Sequence, residues 1–274
     1  MKISQINQKQ KYLRYNADEA ILETAKLISN SDRILFITGA GISADSGLPT
    51  YRGIGGLYND DLTKEGVSIE DALSGSMMQK RPDITWKYLW QIGSACHKAL
   101  PNKAHEIISS IQTIKPDTWV LTQNIDGLHT AANTKNLIEI HGNAFTLHCT
   151  DCGRGKDYNE LISDFQDKVT LPPLCTFCGG IIRPDVVLFG EMLPTEAITK
   201  LYDLIDSKID LVISIGTSGL FPYIVEPVRV ANNRNKPTVE INPVTTDISH
   251  LFKYRIEMKA AEAMGNIWEN LNSL

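Results

Sequence analysis

The sequence predicts an α/β fold: a parallel sheet covered by helices on both faces, with a smaller metal-bearing module. Three observations carry that expectation. Short, continuous apolar runs alternate with helical patterns, as strands buried on both faces do. The first run is cut off by Gly39-Ala40-Gly41, the punctuation of a strand-to-helix turn. Four of the five cysteines stand in two Cys-x-x-Cys pairs, Cys149/Cys152 and Cys175/Cys178.

The elements follow in order. From Asn16 to Ile28 the apolar residues Ala20, Ile21, Ala25, Leu27 and Ile28 recur at helical spacing and predict a helix ending near Ser29-Asn30-Ser31. Arg33 to Thr38 is a β-rich run closed by Gly39-Ala40-Gly41-Ile42-Ser43, hence a buried strand and a tight turn. Similar runs are Trp119 to Thr122, Asn136 to Ile140, Leu211 to Ile215 and Thr238 to Ile241. There is no internal repeat or low-complexity tract.

A chain of 274 residues with 42% hydrophobic content can bury one large core and a smaller one. The net charge of −5 and the lack of a Lys/Arg run argue against direct nucleic-acid binding. No apolar stretch approaches membrane-spanning length, so no membrane partner is expected. Lys2, Lys9, Lys11 and Arg14 precede the first acid, Asp18, a faint likeness to a transit peptide. The polarity of Gln5 to Gln10 favours a solvated leader, and residues 1–20 lack the apolar centre of a secretory signal. A reducing, cytoplasmic location is the expectation. Nothing in the sequence sets an oligomeric state.

The cysteine pairs predict one structural zinc, because two residues between thiolates let one turn supply two tetrahedral ligands while a second turn supplies the others. Gly153 and Gly179-Gly180 follow the second cysteine of each pair, where the chain must turn sharply. The alternatives are two disulfides, four unrelated thiols or a redox pair, which this spacing without a secretory signal disfavours. Four thiolates leave no open position, so such a zinc holds structure and does not polarise substrate. Cys96 is expected to pack on a helix.

Three further segments carry chemistry. Gly39-Ala40-Gly41 lets backbone N–H groups approach a pyrophosphate, although a bare Gly-x-Gly turn is as readily structural. The loop Ser46 to Gly53 adds turn residues, an aromatic and an arginine that could close over a cofactor. Thr122-Gln123-Asn124-Ile125-Asp126-Gly127-Leu128-His129 follows a strand and should face the same crevice, offering donors and acceptors for a ribose and a carboxamide. Asn124 to Gly127 is also good turn chemistry. His141 follows the strand Leu137 to Ile140, which aims it at the crevice. Four cysteines already fill the metal shell, so it is not counted as a ligand.

Taken together, these motifs resemble the sirtuins, the NAD-dependent protein-lysine deacylases, over nearly the whole chain. Gly39 to Ser43 with Ser46-Gly47-Leu48-Pro49 and Tyr51-Arg52 is similar to the family's cofactor loop. Thr122 to Asp126 with Leu128-His129 resembles its ribose and nicotinamide motif, and Ile138-Glu139-x-His141-Gly142 its catalytic-histidine segment. Arg183 to Glu191 resembles the peptide-binding strand, Gly216-Thr217-Ser218 a ribose-phosphate loop, and Glu240-Ile241-Asn242 an adenosine contact.

The resemblance implies that NAD is a co-substrate, consumed and not reduced, and that acyl-lysine proteins or peptides are the partners. The acyl oxygen attacks the ribose carbon as nicotinamide departs, forming an alkylimidate. It implies His141 as the base taking a proton from a ribose hydroxyl. Asn124 holds ribose and water, Asp126 the carboxamide, Gln123 the ribose, and Tyr51 and Arg52 shield the reacting carbon. Val187, Leu188, Phe189, Gly190 and Glu191 pair with an extended peptide, and Phe189, Leu188 and His141 wall the acyl-lysine tunnel. The implied architecture is a doubly wound (Rossmann-like) sheet from residues 16–50, 104–141 and 185–258. The smaller domain combines a helical module at 51–103 with a zinc ribbon at 142–184.

There are departures. Thr50-Tyr51-Arg52 stands where many members have Asp-Phe-Arg. Tyr88 is followed by Gln91 where members preferring acidic acyl groups carry Tyr-x-x-Arg, so a neutral acyl group is expected. Gly219-Leu220-Phe221-Pro222-Tyr223 is bulky and is expected to narrow the channel. The competing functions are a protein ADP-ribosyltransferase or NAD hydrolase using the same site, and a non-catalytic NAD-sensing or peptide-binding module. The presence of His141 favours deacylation.

Overall fold

The structure is a computed structural model that describes residues 16–50, 62–164 and 170–274. Helix α1 (Ala17–Asn30) leads into β1 (Ile34–Thr38). Next come α2 (Ile69–Ala72), α3 (Gly75–Lys80), α4 (Pro82–Lys98) and α5 (Lys103–Ile114). Then β2 (Trp119–Thr122), α6 (Leu128–Ala131) and β3 (Leu137–Glu139) follow. The smaller module holds β4 (Gly142–Cys149), β5 (Gly155–Asp157), α7 (Tyr158–Asp164) and β6 (Ile182–Val186). The chain returns through α8 (Thr195–Asp206), β7 (Leu211–Ile215), α9 (Pro222–Asn233) and β8 (Thr238–Ile241). It closes with β9 (Tyr254–Ile256) and α10 (Ala260–Leu271).

Six parallel strands form the main sheet in the order β3-β2-β1-β7-β8-β9. The order reverses direction between β1 and β7, and ligands of such sheets collect at the strand ends beside that switch. Register makes this concrete: Thr38 pairs with Thr122 on one side and Ile215 on the other. The segments starting at Gly39, Gln123 and Gly216 therefore leave the sheet side by side.

Alternation along β1 divides the core between the two faces. Phe36 packs with Ile28, Ile108 and Ile267 of α1, α5 and α10. Leu35 and Ile37 face Leu201, Leu204, Ile224 and Val228 of α8 and α9. Helix α1 starts at a capping box in which Asn16 and Glu19 each accept from the other's backbone N–H, a device worth about 1 kcal/mol.

A second, antiparallel sheet of order β5-β4-β6 shares its own core with α4. Trp86, 1% exposed, packs with Leu147, Leu161, Ile182 and Leu188, and its indole N–H donates to Ile182 O at 2.8 Å. The helical segment and the cysteine-bearing segment thus fold on one another.

Two features depart from the expected boundaries. The expected limit between 184 and 185 cuts through β6, which belongs to the small sheet. The main layer also runs past residue 258, because Ala263, Met264 and Ile267 of α10 are buried in the core beside α1 and α5. No helix among the described residues is long and apolar enough to cross a membrane.

Candidate active site and metal centre

The loops after β1 and β7 touch through glycine. Gly39 N donates to Ile215 O at 3.1 Å and Gly41 N to Gly216 O at 2.9 Å. A Cβ on Gly41 would stand 2.6 Å from Gly216 Cα, so no larger residue fits. Gly216 itself has φ +60°, the left-handed region that glycine tolerates. The first loop continues as two short 3-10 turns, Ala40–Ile42 and Ala44–Ser46. Asn102, the N-cap of α5, clamps them by donating Nδ2 to Ile42 O (2.8 Å) and Ser46 Oγ (2.9 Å). Asn102 carries no functional signal in the sequence, because its clamp depends on long-range packing.

Below this loop lies a cleft lined by Ala40, Ser43, Asn124, Ile125 and Asp126, with Tyr88, Gln91 and Cys96 of α4 also on its wall. Its polar groups form a chain. Asn124 Nδ2 donates to Gly39 O (3.2 Å) and Ser43 Oγ (3.1 Å), and Ser43 Oγ donates to Asp126 Oδ2 (2.7 Å). Leu128 N donates to Asp126 Oδ1 at 3.0 Å. Burial pushes the Asp126 carboxyl above its ordinary range, while the Leu128 N–H and the Ser43 hydroxyl pull the other way.

Asn124 Oδ1 is buried with no hydrogen-bond partner, a cost a native site tolerates when a ligand or water supplies the donor. That orphaned acceptor, the carboxylate beside it and the glycine-rich turn fit a dinucleotide. On the ribose-phosphate side, Gln123 Nε2 donates to Thr217 Oγ1 (2.8 Å) and Asn242 Nδ2 to Thr217 O (3.2 Å). Ser218 is exposed. Tyr51 and Arg52, expected to cover the reacting carbon, lie outside the described residues.

His141 stands apart from that cleft's wall, against the loop after β7. Its Nδ1 lies 2.9 Å from Gln123 O. A carbonyl oxygen only accepts, so Nδ1 carries the proton and Nε2 the lone pair. Nε2 is 2.7 Å from the Tyr223 hydroxyl, which must therefore donate. Phe221 stacks on Tyr223 (5.4 Å, 12°) and meets the His141 ring edge-on at 5.4 Å. Burial draws the imidazole below its ordinary range, partly opposed by the bond to Gln123 O, so it is neutral near pH 7. The sequence showed Phe221 and Tyr223 only as bulk; no local pattern signals their contact with His141.

The expected peptide edge is largely engaged within the chain. Val187 N donates to His141 O and Phe189 N to Leu73 O, while Leu188 N donates to Glu191 Oε2. Glu191 also accepts two bonds from the Arg183 guanidinium, at 2.7 and 2.9 Å, so its carboxylate braces the turn. Leu188, expected on the tunnel wall, is 4% exposed in the small-module core, whereas Phe189 is 36% exposed. An apolar side chain here is drawn toward Leu73 and Val186 and away from the crevice.

The four cysteines converge as their spacing predicts. Their sulfurs lie within 4.8 Å of one another, with Cys149 to Cys178 at 3.4 Å and Cys152 to Cys175 at 3.8 Å. A tetrahedral zinc with Zn–S near 2.3 Å places sulfurs about 3.8 Å apart, so the set fits one zinc. Two matching turns build it, with Gly153 N donating to Cys149 O and Gly179 N to Cys175 O. Both glycines are left-handed, φ +70° and +78°. Cys96 is buried on α4.

Comparison with known proteins agrees with this geometry. The Sir2 family model matches residues 39–222. A curated relative, "NAD-dependent protein deacylase 2" of Pseudomonas syringae pv. tomato, is 47% identical over 249 residues, covering 90% of this chain and 98% of that protein. A solved Sir2 homolog–NAD complex superposes with a TM-score of 0.80 at 30% identity, covering 92% of this chain and 93% of that one. A solved Sir2 mutant with a deacetylated p53 peptide and 3'-O-acetyl ADP-ribose gives 0.80 at 27% identity, covering 90% and 96%. The chain belongs to the Sir2 family.

Proposed function

We propose that this chain is an NAD-dependent protein-lysine deacylase in which His141 is the general base. The observation that carries the assignment is the His141 ring itself: partly buried, neutral, protonated at Nδ1 by its contact with Gln123 O, and so left with its lone pair at Nε2. Such a nitrogen suits proton removal from a ribose hydroxyl at neutral pH. NAD supplies an activated ribose carbon and is consumed, releasing nicotinamide.

The remaining roles rest on placement. Asp126 and Asn124 bind the carboxamide and orient the ribose from the cleft floor, with Ser43 holding the two in register. Gln123, Gly216, Thr217, Ser218 and Asn242 take the ribose and phosphate side. Gly39, Ala40 and Gly41 form the turn that faces the pyrophosphate, with the Gly39 and Gly41 N–H groups bonded to Ile215 O and Gly216 O. For Tyr51 and Arg52, outside the described residues, the family resemblance alone supports a role over the reacting carbon. The peptide meets Phe189 and the turn at Gly190. Leu188 and Glu191 support that turn from within. One zinc on Cys149, Cys152, Cys175 and Cys178 holds the small module and supplies no substrate chemistry. Protein lysines, rather than nucleic acid, are the partners, and a zinc held by four thiolates suits a reducing, cytoplasmic compartment.

Product analysis tests this function. An acetyl-lysine peptide incubated with NAD should yield nicotinamide, deacetylated peptide and O-acetyl-ADP-ribose in equal amounts by mass spectrometry. Free ADP-ribose without acyl transfer, or an ADP-ribosylated protein, contradicts deacylation and favours a hydrolase or transferase.

A further inference from the structure

The tautomer of His141 is set without Tyr223, because Gln123 O alone demands a proton on Nδ1. The phenol does something else: at 2.7 Å it fills the one lone pair that a base needs. Burial keeps the phenol protonated, its pKa pushed up to about 12, so it is a donor throughout the working pH range. No second hydrogen bond of the Tyr223 hydroxyl occurs among the described residues. Among the described residues, Tyr223 is the titratable side chain hydrogen-bonded to the ring, while Asp126 is engaged by Ser43 and Leu128 and Glu139 by Asn143.

Local structure both places this phenol and allows it to yield. Tyr223 sits in the first turn of α9, directly after Pro222, with its ring stacked on Phe221. Ile224 and Val225 behind it are buried in the core, so the backbone is anchored. The same turn is closed weakly, since Pro227 has no N–H to donate to the carbonyl of residue 223.

We propose that Tyr223 is a positioning residue for the reaction: its hydroxyl holds Nε2 of His141 in the ligand-free enzyme and surrenders it to the substrate hydroxyl in the loaded one. The proposal rests on the assignment of His141 as the base. It sets the chain apart from one whose basic nitrogen faces open solvent before substrate arrives.

The test is Tyr223→Phe, which keeps the stacked ring and removes only the donor. A hydrogen bond to the neutral imidazole resists protonation, so its loss should raise the His141 pKa in the ligand-free enzyme by about 0.4 to 1 unit. This is read by NMR titration of the ring, assigned with His141→Ala. The acid limb of kcat/KM, which reports the free enzyme, should move up equally, while the acid limb of kcat, which reports the loaded enzyme, stays in place. An unchanged NMR titration would show that the phenol does not hold the nitrogen in solution and would overturn the proposal. A shift in both limbs would overturn surrender, and loss of turnover in a folded Tyr223→Phe enzyme would make the phenol a proton carrier instead. The titration uses no substrate, so it stands or falls separately from deacylation.

Discussion

Replacing Gly41 with alanine tests the contact on which the cofactor loop is built. The new methyl would stand 2.6 Å from Gly216 Cα and 2.9 Å from Gly216 O. Both neighbours are backbone, so no side chain can swing aside and the two loops must separate. Overpacking of this kind costs about 1–3 kcal/mol, and in a chain of this size each kcal/mol lowers Tm by about 2–4 °C. Separation also breaks the Gly41 N–H bond to Gly216 O and shifts the loop proposed to face the pyrophosphate. A loss of about 1.4 kcal/mol there weakens NAD binding tenfold. Gly216→Ala should be worse, because its Cβ meets Gly41 C at 2.5 Å and its φ of +60° adds about 1–2 kcal/mol for an L residue. Differential scanning fluorimetry and calorimetric titration with NAD read both effects. Wild-type NAD affinity in both variants, or a milder effect at Gly216 than at Gly41, would refute the reasoning.

Further outcomes follow from the metal turns, the buried histidines and the cleft wall. Purified protein should carry one zinc per chain by atomic absorption, and Cys175→Ser should lose it with a Tm lower by roughly 5 °C or more; a metal-free, equally stable variant contradicts a structural zinc. His105 and His129 are buried edge to face at 4.9 Å, and burial lowers both pKa values, His105 to about 4 from 6.5. The unfolded chain therefore takes up protons first, so stability is complete above about pH 6.5 and falls toward pH 4, by about 3 kcal/mol for His105 alone. Urea unfolding at pH 7 and 4.5 measures this, and His105→Gln should flatten the slope; an unchanged slope refutes it. Acetyl should be removed faster than succinyl from one peptide, since Gln91 offers no cation and Glu65 accepts from Tyr88 beside it. Gln91→Arg should narrow that difference, and faster desuccinylation by the unaltered enzyme contradicts the assignment.

The parallel sheet was legible because its central strands are apolar on both faces. Ile34 to Thr38 and Leu211 to Ile215 are buried at every position, which gives a continuous run in sequence. The edge strand Tyr254–Ile256 escaped notice because it is three residues long and flanked by Lys253 and Glu257. The zinc site was legible for a different reason: each ligand pair is local, so spacing alone encodes its turn. The Asn124, Ser43 and Asp126 chain was half legible, since the residues could be named but their hydrogen bonds span more than 80 positions. Contacts between distant segments were not legible at all. Tyr223 reaches His141 across the ends of the sheet, from the helix after β7 to the segment after β3, and nothing near either residue records that neighbour. For Val187 to Glu191 the motif suggested a free edge, but an edge is free only if the fold leaves it unpaired. Here Leu73, His141 and Glu191 pair most of it.

The most direct measurement of the central claim is turnover by His141→Ala, compared with its binding of NAD and acetyl-lysine peptide. Removing a positioned base should lower kcat by about 10²- to 10⁴-fold, while both ligands bind within about threefold of wild type. The neighbouring Gln123, Asn124 and Asp126 retain contacts that do not depend on the imidazole. Undiminished turnover in the folded variant would contradict the account by removing His141 from the chemistry.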